Sequence, residues 1–87
     1  MGRMYVLLGS VTTAMRLKRL LEKKCGCPAE VVHTPSQLNS GGCSYSVRVD
    51  NRYLDTVRNT AEEYTVGIRK IYLDEYTGGE RIYHDVS

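Results

Sequence analysis

Met4-Tyr5-Val6-Leu7-Leu8-Gly9-Ser10 is the stretch from which the fold is read. Its five apolar residues include a β-branched valine, and a Gly-Ser pair stops the run. That length and composition predict a short buried strand. Ser10, Thr12 and Thr13 follow with hydroxyls suited to the unpaired amides of a helix start. Ala14, Leu17, Leu20, Leu21 and Cys25 then recur at three- and four-residue steps, which lines one helical face. Gly26-Cys27-Pro28 supplies the stop, because proline cannot continue a helix. The chain therefore opens with a strand-helix unit.

The same punctuation organises the rest. Ala29 to His33 reads as a second strand, ended by Thr34-Pro35. Pro35 to Gly42 is rich in turn formers and reads as a loop with room for one helical turn. From Ser44 to Asp50 the residues alternate, with Tyr45, Val47 and Val49 on one face and Ser46 and Arg48 on the other, as in a half-buried strand. Asp50 is placed to cap a second helix whose inward stripe is Leu54, Val57, Ala61 and Tyr64, with Gly67 as its stop. Ile68 to Tyr76 is a fourth strand. Thr77-Gly78-Gly79-Glu80 fits a tight hairpin loop, after which Arg81 to His84 pairs back. The order β-α-β-β-α-β predicts an α+β, ferredoxin-like split β-α-β fold. The expectation is a four-stranded antiparallel sheet with both helices on one face. A single domain spans residues 1–87, with its core at about 4–73 and a C-terminal hairpin arm at about 74–87.

Composition narrows the function. With 87 residues there is room for one core and no second domain. Hydrophobic residues make up 41% and charged residues 25%, the balance of an ordinary globular chain rather than a disordered one. A net charge of +2 is too small to name nucleic acid as a partner, and the third strand lacks the aromatics on which bases stack. No apolar run is long enough to span a membrane, and Met4 to Leu8 is too short for a signal core. Three cysteines without a signal read as reduced thiols, which places the chain in the cytoplasm.

Within this frame the residues resemble the selenium/sulfur carrier-like family. The resemblance rests on four pieces: Gly9-Ser10-Val11-Thr12-Thr13-Ala14 at the strand-helix junction; Leu20-Leu21-Glu22 in a helix that ends near a glycine; Pro35-Ser36-Gln37-Leu38-Asn39-Ser40; and Cys43 opening the third strand. It covers Met4 to Leu73 and leaves the terminal arm outside. In the family a glycine follows the cysteine, whereas here Gly41-Gly42 precede Cys43 and Ser44 follows it. The resemblance implies a persulfide or perselenide carried on Cys43. It also implies donor and acceptor proteins of sulfur or selenium metabolism as partners, and no cofactor.

Two roles fit Cys43. As a carrier it would be an exposed thiolate, with Ser40, Gly41, Gly42 and Ser44 as the supporting loop whose amides could lower its pKa. As a structural residue it would be a small hydrophobe at a strand start. Cys25 falls on the apolar helical face and reads as core. Cys27 falls in the turn, exposed, where it could serve as a resolving thiol for Cys43. A metal site from Cys25, Cys27, His33 and Cys43 matches no established ligand spacing, so none is expected. Arg16, Lys18, Arg19, Lys23 and Lys24 against Glu22 give the first helix a local charge of +4. Arg16, Arg19 and Lys23 share one face that could steer an acidic partner, although a solvated helix face is the more common explanation. Tyr72, Tyr76 and Tyr83 on the last strands suit cross-strand packing or a homodimer contact. No acid-base or nucleophile-base constellation stands out, so a carrier is expected rather than an enzyme. The alternative is a ferredoxin-like small-ligand-binding or regulatory module that acts by dimerisation, with structural cysteines.

Overall fold

The computed structural model describes residues 2–39, 42 and 44–87. Ser40, Gly41 and Cys43, which carry part of the sequence-based site, lie outside the described residues.

The first strand, β1 (Arg3–Leu8), leads through Ser10 into helix α1 (Val11–Cys25). The Ser10 hydroxyl accepts from the Thr13 amide at 3.2 Å, the expected N-cap bond. Strand β2 (Ala29–His33) is followed by a loop, then by β3 (Tyr45–Asp50). Asp50 caps as expected, but what it caps is a single 3-10 turn (Asn51–Tyr53) that precedes α2 (Leu54–Glu63). Strands β4 (Ile68–Thr77) and β5 (Glu80–Asp85) complete the chain.

All pairings are antiparallel, in the order β2-β3-β1-β4-β5. The sheet thus has five strands where four were expected. The difference comes from the C-terminal hairpin, in which Gly78 and Gly79 both have positive φ (60° and 82°). A two-residue loop of that hand matches strand twist, so β5 folds flat onto β4 as a full member of the sheet.

Both helices lie on one face. Met4, Val6 and Leu8 of β1 join Ala14, Leu17 and Leu21 of α1, Val57 and Ala61 of α2, and Val47, Val49 and Ile71 in one buried cluster. On the opposite face Tyr5, Leu7 and Leu38 form a second, smaller cluster with Val32, Tyr72 and Tyr83 around it. Residues 86–87 return to the first core. Val86 packs against it, and the Arg58 guanidinium on α2 donates to the Val86 carbonyl.

Helix α2 stops earlier than Gly67. The Val66 amide donates to the Ala61 carbonyl at 2.8 Å and the Thr65 amide to the Glu62 carbonyl, a Schellman closure with Thr65 in the left-handed position (φ 55°). A β-branched residue there is costly, on the order of 1–2 kcal/mol. We expect Thr65→Gly to raise stability by about 1 kcal/mol, visible as a higher thermal midpoint. An unchanged or lower midpoint would show that the strain is relieved elsewhere.

A second expectation concerns acid. The Ser87 amide and the Lys70 ammonium, 2.9 and 3.0 Å from the Asp85 carboxylate, hold its pKa down at about 2. A depressed carboxylate contributes stability that is complete above its unfolded pKa and is lost as pH falls through the folded one. Between about pH 4 and pH 2, wild type should therefore lose more stability than Asp85→Asn, measured by thermal unfolding across that range.

Candidate functional site

The loop between β2 and β3 is closed at its base and anchored at Leu38. At the base, the Thr34 amide donates to the Ser44 carbonyl at 2.9 Å, and the Thr34 and Ser46 hydroxyls share a buried hydrogen bond of 2.6 Å. Just inside, the rings of His33 and Tyr45 meet at 4.8 Å between centroids. Pro35 then sets a turn, with its carbonyl accepting from the Leu38 amide at 2.9 Å, and Leu38 drops its side chain between Tyr5 and Leu7. Beyond that anchor Gly42 is exposed and left-handed (φ 79°), a conformation that a side chain would strain. The Ser44 amide donates to the Gly42 carbonyl at 3.1 Å. Leu38 was legible in the Pro-x-x-Leu segment as a motif, but not as the residue that pins the loop. The Thr34–Ser46 latch gave no signal, since serine and threonine in strands read as solvent-facing.

The flanks of this loop lie where β1 leaves the sheet. Leu7 pairs with Ser46 in antiparallel register, so two residues further on Gly9 comes level with Ser44. That corner carries the amino end of α1, with no acidic residue in its first turn. It also carries the Arg69 guanidinium, close enough that a Cβ on Gly9 would stand 3.2 Å from Nε. Helix dipole and arginine together make the corner favourable to anions. Of the expected supporting residues, Gly42 and Ser44 are exposed. Cys43, Ser40 and Gly41 are outside the described residues.

The other two cysteines exchange the places expected of them. Cys25 is exposed, with its thiol 3.3 Å from the Thr60 hydroxyl on α2, whereas Cys27 is only 2% exposed and joins the main core. The reason is the left-handed Gly26 (φ 66°), which turns the chain back under α1 so that the Gly26 and Cys27 amides both donate to the Leu21 carbonyl. Cys25, one step past Leu21 on the same stripe, stands beyond the edge of the core. Burial pushes the Cys27 thiol pKa up, and the neighbouring Cys25 adds to the effect.

Cys27 also lies at the wrong end of the sheet to resolve a thiol on the loop. Strand β2 separates it from Thr34, and seven residues of extended chain span roughly 20 Å. His33, at the far end of β2, is parted from Cys25 and Cys27 in the same way. Among the described residues no three His, Cys, Asp or Glu side chains converge as metal ligands.

The expected basic face divides as well. Arg16 is engaged, donating to the Tyr64 carbonyl at 2.8 Å and so tying α1 to the end of α2. Arg19 and Lys23 point elsewhere. With Lys18, Glu22, Val11, Met15 and the edge-strand residue Val31, they line a groove beside β2. Lys18 and Glu22 neutralise each other at 2.7 Å. No helix among the described residues is long and apolar enough to cross a membrane.

Comparison with known proteins gives one finding. A family model described as "Putative Se/S carrier protein-like" matches residues 3–73 and leaves the end of β4 and all of β5 outside. No curated protein and no solved structure matches the chain.

The thiol geometry has a direct readout. Iodoacetamide should alkylate Cys25 in the native protein and Cys27 only after denaturation, as mapped by peptide mass spectrometry. Native labelling of Cys27 at the rate of Cys25 would contradict the burial described above.

Proposed function

The chain belongs to the Se/S carrier-like family, and from that membership we propose that it carries sulfur or selenium as a persulfide or perselenide on Cys43. The observation that supports this most strongly is the construction of the β2–β3 loop. Its base is latched by Thr34, Ser44 and Ser46 and its middle is anchored by Leu38, while Gly42 and Ser44 are left exposed. A carrier thiol must stay reachable by protein partners and must ionise readily. A pinned loop with an exposed glycine next to Cys43 in the sequence suits the first of these needs. Loading is a sulfane transfer. The Cys43 thiolate attacks the outer sulfur of a donor persulfide, a new S–S bond forms, and the donor leaves as its thiol. No net oxidant is required.

The strand order β2-β3-β1-β4, with both helices on one face, supports reading residues 1–87 as one ferredoxin-like split β-α-β domain to which β5 has been added. The partners are donor and acceptor proteins, steered by Arg19 and Lys23, and the reduced thiols suit the cytoplasm. The regulatory alternative has one observation in its favour. Tyr76 and Ile82 stand 72% and 42% exposed on the hairpin at the sheet edge, where a second copy could cover them.

Offered a persulfide donor, wild type, Cys25→Ser and Cys27→Ser should each gain one sulfur on Cys43 by mass spectrometry, and Cys43→Ser should not gain it. Loading of Cys43→Ser equal to wild type would end the carrier reading and leave the dimerising module.

A further inference from the structure

Away from the loop, at the opposite end of β2, the Cys25-Gly26-Cys27 turn holds two cysteines two residues apart across a chain reversal. The Cys27 thiol donates to the Cys25 carbonyl at 3.6 Å. Their environments differ in a way that assigns them different work. Cys25 is open to solvent, and its only hydrogen-bond partner among the described residues is the Thr60 hydroxyl at 3.3 Å. Cys27 is sealed beneath the last turn of α1, so no reagent in solution meets it first. A sulfur attached to Cys25, by contrast, is already beside it. Gly26 at φ 66° supplies the tight reversal that brings the pair together, and having no side chain it leaves the backbone free to adjust as the ring closes. Beside the turn, starting at Pro28, opens a cleft lined among others by Arg3, Glu22, Arg52 and Tyr53, with charges of both signs to receive a zwitterionic thiol compound.

We propose that Cys25 and Cys27 form a second thiol centre, independent of Cys43, that is oxidised to an intramolecular disulfide by low-molecular-weight disulfides of the glutathione class. In the first step the Cys25 thiolate attacks glutathione disulfide, the Cys25–glutathione bond forms, and one glutathione leaves as thiolate. In the second, Cys27 attacks the Cys25 sulfur and its proton passes to the departing glutathione; the intramolecular bond forms and the second glutathione leaves as its thiol. Two protein thiols are oxidised, one disulfide is reduced to two thiols, and dithiothreitol reverses the exchange. The order of attack follows from exposure: Cys25 is reached from solvent, and Cys27 acts only from within. Closing the ring draws the Cys25 sulfur away from Thr60, so the change is felt where α1 meets α2 and not at the β2–β3 loop.

The experiment uses native Cys43→Ser protein, whose only thiols are Cys25 and Cys27, treated with glutathione disulfide. The expected product has lost two hydrogens, with Cys25 and Cys27 joined in one peptide. Cys27→Ala in the same background, checked for folding by circular dichroism, should stop at a glutathione adduct on Cys25. Amide NMR shifts should move at Thr60 and stay fixed at Thr34 and Leu38. A stable Cys25–glutathione adduct with Cys27 still free, or no reaction at Cys25, would overturn the proposal, and neither result needs the Cys27 variant to fold. Because Cys43 is absent from this protein, the outcome is separate from that of the carrier reading.

Discussion

The burial of β1 on both of its faces is the constraint on which everything else depends. It sits between β3 and β4, with Met4, Val6 and Leu8 fully buried under the helices and Tyr5 and Leu7 nearly so on the other side. A strand in that position must be apolar at every residue, which is why Met4 to Leu8 shows no alternation. Covering its helix side takes α1, α2 and the returning Val86. Covering the other side takes something besides a helix, and this is the role of the β2–β3 loop. Leu38 closes over Tyr5 and Leu7, and Tyr83 of β5 meets Tyr5 edge-on at 6.0 Å. The loop that carries the candidate chemistry is therefore also part of the core.

That dual duty explains the polar groups on the helix-free face. Ser46 is fully buried there, and its hydroxyl is satisfied by Thr34 at the loop base. Asp74, 8% exposed, is met by Arg81 at 3.4 Å. The Arg48 guanidinium is held by the Glu30 carboxylate at 3.0 Å. A buried polar group without a partner would cost on the order of 1–3 kcal/mol, and among the described residues no buried side-chain nitrogen or oxygen is left unpaired. The face is sealed by polar pairs around a small aromatic centre, which lets a loop serve where a helix would otherwise be needed.

Elements defined by a long periodic pattern were legible in the sequence. The α1 stripe, the alternation of β3 and the Gly-Gly hairpin each repeat a signal several times, so local error averages out. What was not legible depended on chain reversals. Cys25 continued the stripe of Ala14, Leu17 and Leu21 by spacing, yet spacing does not reveal where the core ends beneath a helix. Cys27 followed a glycine and looked exposed, yet a left-handed Gly26 returns the chain to the interior. The end of α2 was missed for a similar reason: Gly67 is the residue that favours a helix stop, but packing of Val66 onto the core sets the reversal at Thr65 instead. Of the site, the Pro-x-x-Leu segment was visible as a pattern, while its anchoring role needed the second face of the sheet. Arg69 could not have been found, because strand register alone brings it to Gly9.

The polarity of α1 then divides the chemistry of the molecule. One helix of fifteen residues runs from the loop corner to the Cys-Gly-Cys turn, with its amino end at the first and its carboxyl end at the second. Partial positive charge at the amino end, after Ser10, favours an anion, whereas the carboxyl end disfavours one. In the interior beneath that end, desolvation keeps the Cys27 thiol protonated. A carrier on the β2–β3 loop needs a thiolate, whereas the turn end of α1 holds a protonated thiol that waits for its neighbour to react first.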